Sequence, residues 1–244
     1  MDTQVKTDVS QLRVDGPRLW ASLMELAQIG ATPKGGVCRL ALTDLDRQGR
    51  ERVIGWGRDA GLAITTDRIG DVFMRRAGRR PELPPVMTGS HIDTQPTGGK
   101  FDGNYGVLAG LEVVRTLNDH GVLTDAPIEV AFWTNEEGSR FVPVMMGSGV
   151  FAKAFTLEHA YAAKDTEGKS VKDECDRLRS QALSAALILE TIDLPDQTSA
   201  SLGVSNFPLH CETAEELFAM ADEALYKAKG DGRNCVKIAS PVHK

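Results

Sequence analysis

"PPVMTGSHIDTQPTGGKFDGNYGVLAGLEVVRTLNDHG", residues 84–121, changes character twice. Its first eight residues carry no charge before they end on His91, and read as a buried strand. A polar loop with glycines at 98, 99 and 103 follows. From Asn104 the apolar residues Val107, Leu108, Leu111, Val114 and Leu117 recur at helical spacing, so 104–121 predicts a helix with one apolar face. A second apolar run, "PIEVAFWTNEEG" at 127–138, predicts another strand and ends on Glu136 and Glu137. Strand, helix, strand in this order is a crossover unit of an α/β sheet. Ligands and catalytic groups in such sheets gather at the carboxyl ends of strands. His91 and the Glu136–Glu137 pair both stand there.

Upstream, Asp15 is placed to cap a helix through "GPRLWASLMELAQIG", where Leu19, Leu23, Leu26 and Ala27 fall at helical spacing. Thr43 caps a second helix, which Gly61 stops. "LAITTD" and "VFMRRAG" alternate as two strands joined by a tight turn at Ile69-Gly70. Downstream, "DECDRLRSQALSAALILE" reads as a helix, "TSASLGVSNF" as a strand and "NCVKIA" as a closing strand. Between those strands "TAEELFAMADEALYKAKGDG" is a strongly amphipathic helix, with Thr213 and Glu216 as a capping box. There is no internal repeat.

The 244 residues are 41% hydrophobic and 25% charged, a globular composition. A net charge of −6 argues against a general nucleic-acid or anionic-membrane binder. No apolar run approaches the roughly 20 residues of a membrane span, and the polar start carries no signal-peptide pattern. The expectation is a cytoplasmic protein with no nucleic-acid and no membrane partner. Cys38, Cys175, Cys211 and Cys235 form no CxxC pair and are expected as free thiols.

A hydrolytic zinc pair needs a bridging carboxylate, further His and carboxylate ligands, and open positions for water and substrate. It also needs a general base. Here His91 follows a strand, Asp93 is placed to orient it, and Asp102 lies in a loop that glycines let bend. Glu136 and Glu137 arrive at the other strand end. Adjacent carboxylates on extended backbone point in different directions, so one can bind metal while its neighbour handles the proton. The Gly-rich loop lacks the spacing and the Lys-Ser/Thr of a phosphate loop.

The two segments "TGSHIDTQPTGGKFDGNYGVLAGLEVVRTLND" and "AFWTNEEGSRFVPVMMGSGVF" resemble the M20-type metal amidohydrolases. The nearest branch is that of the N-carbamoyl-amino-acid hydrolases, β-ureidopropionase and allantoate amidohydrolase. The resemblance runs from about residue 12 to 174. It implies that His91 and Glu137 are metal ligands, that Asp102 bridges two metals, that Glu136 is the general base and that Asp93 supports His91. It also implies two Zn2+ ions, with Mn2+, Co2+ or Ni2+ as alternatives. The substrate would be a small ureido compound, cleaved to ammonia, carbon dioxide and an amino acid. The family's two later His ligands, in a "HIEQGP"-like motif and a Gly-His motif, have no counterpart after Glu137. The histidines there are His159, His210 and His243. His159 and His243 read as surface residues. His210, in "FPLHCETAEE", only faintly echoes the first motif.

"SASLGVSNFPLHCETAEELFAMADEALYKAKGDGRNCVKI" resembles the C-terminal half of GGDEF domains, the diguanylate cyclases. By that resemblance Lys229 and Arg233 would hold nucleotide phosphates, as a Lys and an Arg at a helix end physically can. The GGDEF loop and the family's metal-binding Asp are absent, which argues against cyclase activity. The chain is therefore expected to be α/β throughout. Residues 1–174 would be a partial three-layer α/β/α hydrolase domain, and 175–244 a partial GGDEF-type segment. The leading expectation is a ureido-type amidohydrolase impaired by missing ligands and a missing lid. The alternatives are a non-catalytic nucleotide-binding or interaction module, or a non-functional fusion product. Exposed sheet edges would favour a homo-oligomer.

Overall fold

The computed structural model describes residues 9–184, 202–204, 223, 226–227 and 236–238. The chain forms two compact units, one of residues 1–151 and 155–193, the other of 152–154 and 194–244.

In the first unit, α1 (Gly16–Leu26) and α2 (Asp44–Asp59) begin at the caps expected from sequence. Asp15 accepts the amide of Arg18, and Thr43 accepts that of Asp46. The strands β1 (Ala63–Thr66) and β2 (Val72–Arg76) make an antiparallel hairpin. Gly70, with φ at +95°, supplies the left-handed residue of its turn. The strands β3 (Val86–His91) and β4 (Ile128–Trp133) pair in parallel, and α3 (Asn104–Asp119) crosses between them. The sheet order is β1-β2-β4-β3.

Residues of α1, α2 and α3 cover one sheet face. Leu23, Leu26, Val53, Ile54, Leu108, Leu111 and Val114 pack there with Val72, Met74, Val130 and Phe132. On the other face Phe73 and Trp133 stack with Phe151 of α4 (Met146–Phe151). A smaller core joins Leu42, Ile69, Phe141 and Met146 to α5 (Leu157–Ala162) and α6 (Val171–Ser184) through Ala160, Val171 and Cys175.

One sequence expectation is corrected. The run ending on His91 is not a buried strand: Val86 is 63% exposed and only His91 is fully buried. The cause is its place at the sheet edge, with β4 as its partner and α3 on one face. The junction expected at 174/175 falls inside α6, where Glu174 and Cys175 are both buried. Cys38 and Cys175 are free thiols.

In the second unit, β5 (Leu202–Val204) and β6 (Val236–Ile238) pair in parallel, and residues 223, 226 and 227 are helical. His210, Lys229, Arg233 and His243 lie outside the described residues. Among the described residues no helix is long and apolar enough to cross a membrane.

Candidate metal centre

Three side chains that could hold a metal ion meet where the parallel strands end. His91, Asp102 and Glu137 each offer an atom within 4.8 Å of the other two. His91 closes β3, Asp102 sits just before α3, and Glu137 follows β4. Glu137, well downstream of the other two, therefore converges with them because β3 and β4 are parallel neighbours.

The ring of His91 is fixed in one tautomer. Its Nδ1 lies 2.9 Å from the backbone oxygen of Asp93, and a carbonyl only accepts, so Nδ1 carries the proton. That leaves Nε2, 3.4 Å from Oε2 of Glu136, as the ring atom available to an ion. Gly103, with φ at +64°, lies flat against this ring. A Cβ there would stand 2.4 Å from Nε2.

Asp93 supports the site differently from expectation. Its carbonyl orients His91, while its carboxylate is 3.7 Å from Nδ1. That carboxylate accepts the amides of Glu136 and Glu137, each at 3.3 Å. It thus ties the end of β4 to the end of β3. Burial raises its pKa to about 6, against the lowering pull of His91 and the two amides.

Glu136 and Glu137 do not stand on extended backbone. Between β4 and Glu136 the chain turns through Asn135, at φ +52°, whose side-chain amide donates to the carbonyls of Phe141 and Pro143. The turn separates the two carboxylates. Glu137 joins the ligand cluster and accepts Nε2 of Gln95 at 3.0 Å. Glu136 points Oε2 at Nε2 of His91, 3.4 Å away. Burial raises the pKa of Glu136, and the nearby Glu137 and Asp102 add to the shift. A carboxyl tuned upward beside a ligand cluster has the properties of a general base.

Sequence reasoning missed Arg39. It is fully buried and donates to the carbonyls of Ile92, Ile29 and Leu26 and to Oδ1 of Asn104. Ile92 lies between His91 and Asp93, and Asn104 begins α3 two residues after Asp102. One guanidinium therefore braces both ligand-bearing loops. His159 is exposed, as expected.

A borderline cation is well matched by one imidazole and two carboxylates. The fixed tautomer, the close-packed Gly103 and the converging oxygens all fit such an ion.

A family model described as "Peptidase family M20/M25/M40" matches residues 87–241. An N-carbamoyl-L-amino-acid amidohydrolase of Rhizobium meliloti is 56% identical over 166 residues, 68% of this chain and 40% of that protein. A ureidoglycolate hydrolase of Arabidopsis thaliana is 35% identical over 162 residues, 66% of this chain and 34% of its own length. The crystal structure of an amidase of the hydantoinase/carbamoylase family from Burkholderia multivorans superposes with a TM-score of 0.68 and 62% identity. It covers 69% of this chain and 41% of that one. The chain spans less than half the length of each of these relatives. Nothing in these comparisons supports a GGDEF segment or a chimera, and the family match runs through most of 175–244.

Proposed function

The chain belongs to peptidase family M20/M25/M40, and from that premise we propose that it carries the metal-binding part of an amidohydrolase acting on the linear C–N bond of a small ureido substrate. The observation that carries this is the convergence of His91, Asp102 and Glu137 within 4.8 Å. The relatives named as N-carbamoyl-L-amino-acid amidohydrolase and ureidoglycolate hydrolase support the substrate class. The family is generally metal-dependent. Zn2+ is the ion proposed, with Mn2+, Co2+ and Ni2+ as competitors for the same donors. When bound, the metal supplies polarisation of the scissile carbonyl and a water of lowered pKa.

The residues of the chain divide the remaining work. His91 presents Nε2, Asp102 and Glu137 present oxygens, and Asp93 fixes both the ring and the two Glu amides. Glu136 accepts a proton at Oε2 and returns it to the leaving nitrogen. Three protein ligands suffice for one ion, whereas a two-ion site needs donors beyond these three. A second chain in a homo-oligomer is one source of them. With these three alone, hydrolysis is expected to be slow.

Zinc titration calorimetry on the purified chain tests the proposal. One ion per chain is expected, with affinity falling at least tenfold in His91→Ala and in Glu137→Gln. Unchanged affinity in both variants would remove the proposal. A count near two would mean a further donor completes the pair.

A second reading assigns 175–244 to a GGDEF-like nucleotide-binding segment, a division of ancestry rather than of compactness. The parallel pairing of β5 and β6 around a helix favours it. A GTP titration without signal, or with signal unaltered by Lys229→Ala and Arg233→Ala, would eliminate it.

A further inference from the structure

A second pair of acids lies buried beside the same end of β4, in the turn between β1 and β2. Asp67 is 7% exposed and Asp71 is not exposed at all. We propose that Asp71 is a neutral carboxylic acid that positions the strand end carrying Glu136 and Glu137. The positioning half rests on the function proposed above, and the protonation does not.

The two acids are provided for unequally. Oδ1 of Asp67 accepts three backbone amides, from Ile69, Gly70 and Asp71, at 3.1, 3.0 and 2.8 Å. Three N–H groups on one oxygen make it a natural carboxylate. Asp71 accepts one amide, from Thr134 at 2.7 Å, through Oδ1. Its Oδ2 is buried and has no hydrogen-bond partner. A buried carboxyl oxygen that no donor reaches is costly as part of an anion and far less so when the group is a neutral acid.

The surroundings agree. Arg50 of α2 is the nearest cation, but it aims its N–H groups at Asp46, at the carbonyl of Gly70 and at Oγ1 of Thr134. Its charge is therefore largely matched by Asp46. From α6, Cys175 donates its thiol to the carbonyl of Ile69, and burial pushes its pKa up to about 12, so it adds no charge. Burial and the neighbouring Asp67 hold Asp71 well above the ordinary carboxylate range, and burial raises Asp67 to about 6.

What the proton holds in place is the exit of β4. The β2–β4 ladder closes at Val72 opposite Phe132. Beyond it, the amide of Thr134 is taken by the Asp71 side chain instead of by a strand. Gly147, at the start of α4, donates its amide to the carbonyl of Thr134 at 2.9 Å. It packs so closely that a Cβ there would stand 2.0 Å from Oδ1 of Asp71. Thr134 is thus gripped from both sides, two residues before Glu136. Ionising Asp71 would set two like charges against each other in a dry pocket and loosen that grip.

Asparagine is the discriminating substitution. Asp71→Asn keeps Oδ1 for Thr134 and places an N–H where the proton sits. Asp71→Ala removes both. On the metal-free chain we expect an infrared band of a protonated carboxyl at neutral pH that Asp71→Asn abolishes. Amide exchange across 134–137 should stay as slow in Asp71→Asn as in the parent and speed up at least tenfold in Asp71→Ala.

Stability supplies a third reading. The folded-state pKa of Asp71 is raised, so the stabilisation from its proton is complete below the unfolded value of about 3.9 and is lost as pH rises through the folded value. Asp71→Asn should remove that part of the slope and be the more stable form at neutral and alkaline pH. Absence of the band, or identical slopes in the parent and Asp71→Asn, would overturn the neutral acid. Parent-like exchange in Asp71→Ala would overturn the positioning role, as would fast exchange in Asp71→Asn. If Asp71→Ala does not fold, Asp71→Asn alone still decides both. Failure of the parent to bind zinc would count against the metal-hydrolase function and leave the proton test standing.

Discussion

Gly103 shows how narrowly the candidate centre is specified. The ring of His91 lies where a side chain at 103 would go, and the residue adopts a backbone conformation that L side chains rarely take. Gly103→Ala should therefore displace the ring or the Asp102 loop. A loss of roughly 10–100-fold in zinc affinity is expected, on the scale of lost supporting contacts around a metal. The accompanying loss of stability should be only about 1–3 kcal/mol, the cost of one strained residue. Calorimetry and urea unfolding measure the two separately, and an affinity within twofold of the parent would defeat the argument. His91, Asp102, Glu136 and Glu137 were legible in the sequence because each follows a strand or a glycine-rich bend. The contacts of the Asp93 carboxylate with the amides of Glu136 and Glu137 were not. They depend on the turn at Asn135, which brings two amides onto one carboxylate, and no local pattern announces a positive φ at an asparagine. Asp71 was hidden for a similar reason: its meaning lies in Thr134, far along the chain.

Among the elements, the legible ones are those with a period and a cap. α1, α2 and α3 announce themselves by apolar spacing, and Asp15 and Thr43 by cap chemistry. α4 and α5 have six residues each, too short for a period to show, and went unread. The edge position of β3 was also illegible, because an apolar run does not say how many neighbours it will have. Arg39 belongs to no strand or helix, so periodicity could not flag it. It nevertheless links the end of α1, the exit of β3 and the start of α3. Arg39→Met keeps much of the volume but leaves several buried acceptors without donors. At about 1–3 kcal/mol for each unsatisfied group, partly relieved by relaxation, the loss should be roughly 3 kcal/mol or more. Zinc affinity should fall with it, since Asn104 and Ile92 both lose their brace. Urea denaturation checks the first claim, and a change below about 1 kcal/mol would show that Arg39 is dispensable.

At the scale of the molecule, the division into two units bears on where the metal's stabilising effect can reach. All three proposed ligands lie in the unit formed by 1–151 and 155–193. So do the three tryptophans, Trp20, Trp56 and Trp133. The second unit holds His210, whose faint motif would matter only if the tail supplied a ligand. A ligand that binds only the folded form stabilises what it binds, by about 2.7 kcal/mol at a free concentration one hundred times its Kd. Zinc should therefore shift the tryptophan-detected urea transition upward by about that amount. Amide exchange in Leu202–Val204 and Val236–Ile238 should not change. An equal gain in β5 and β6 would mean that the second unit contributes a donor or unfolds together with the first, and His210→Ala would then separate those two cases. No shift in either probe would mean that the three side chains converge without holding an ion.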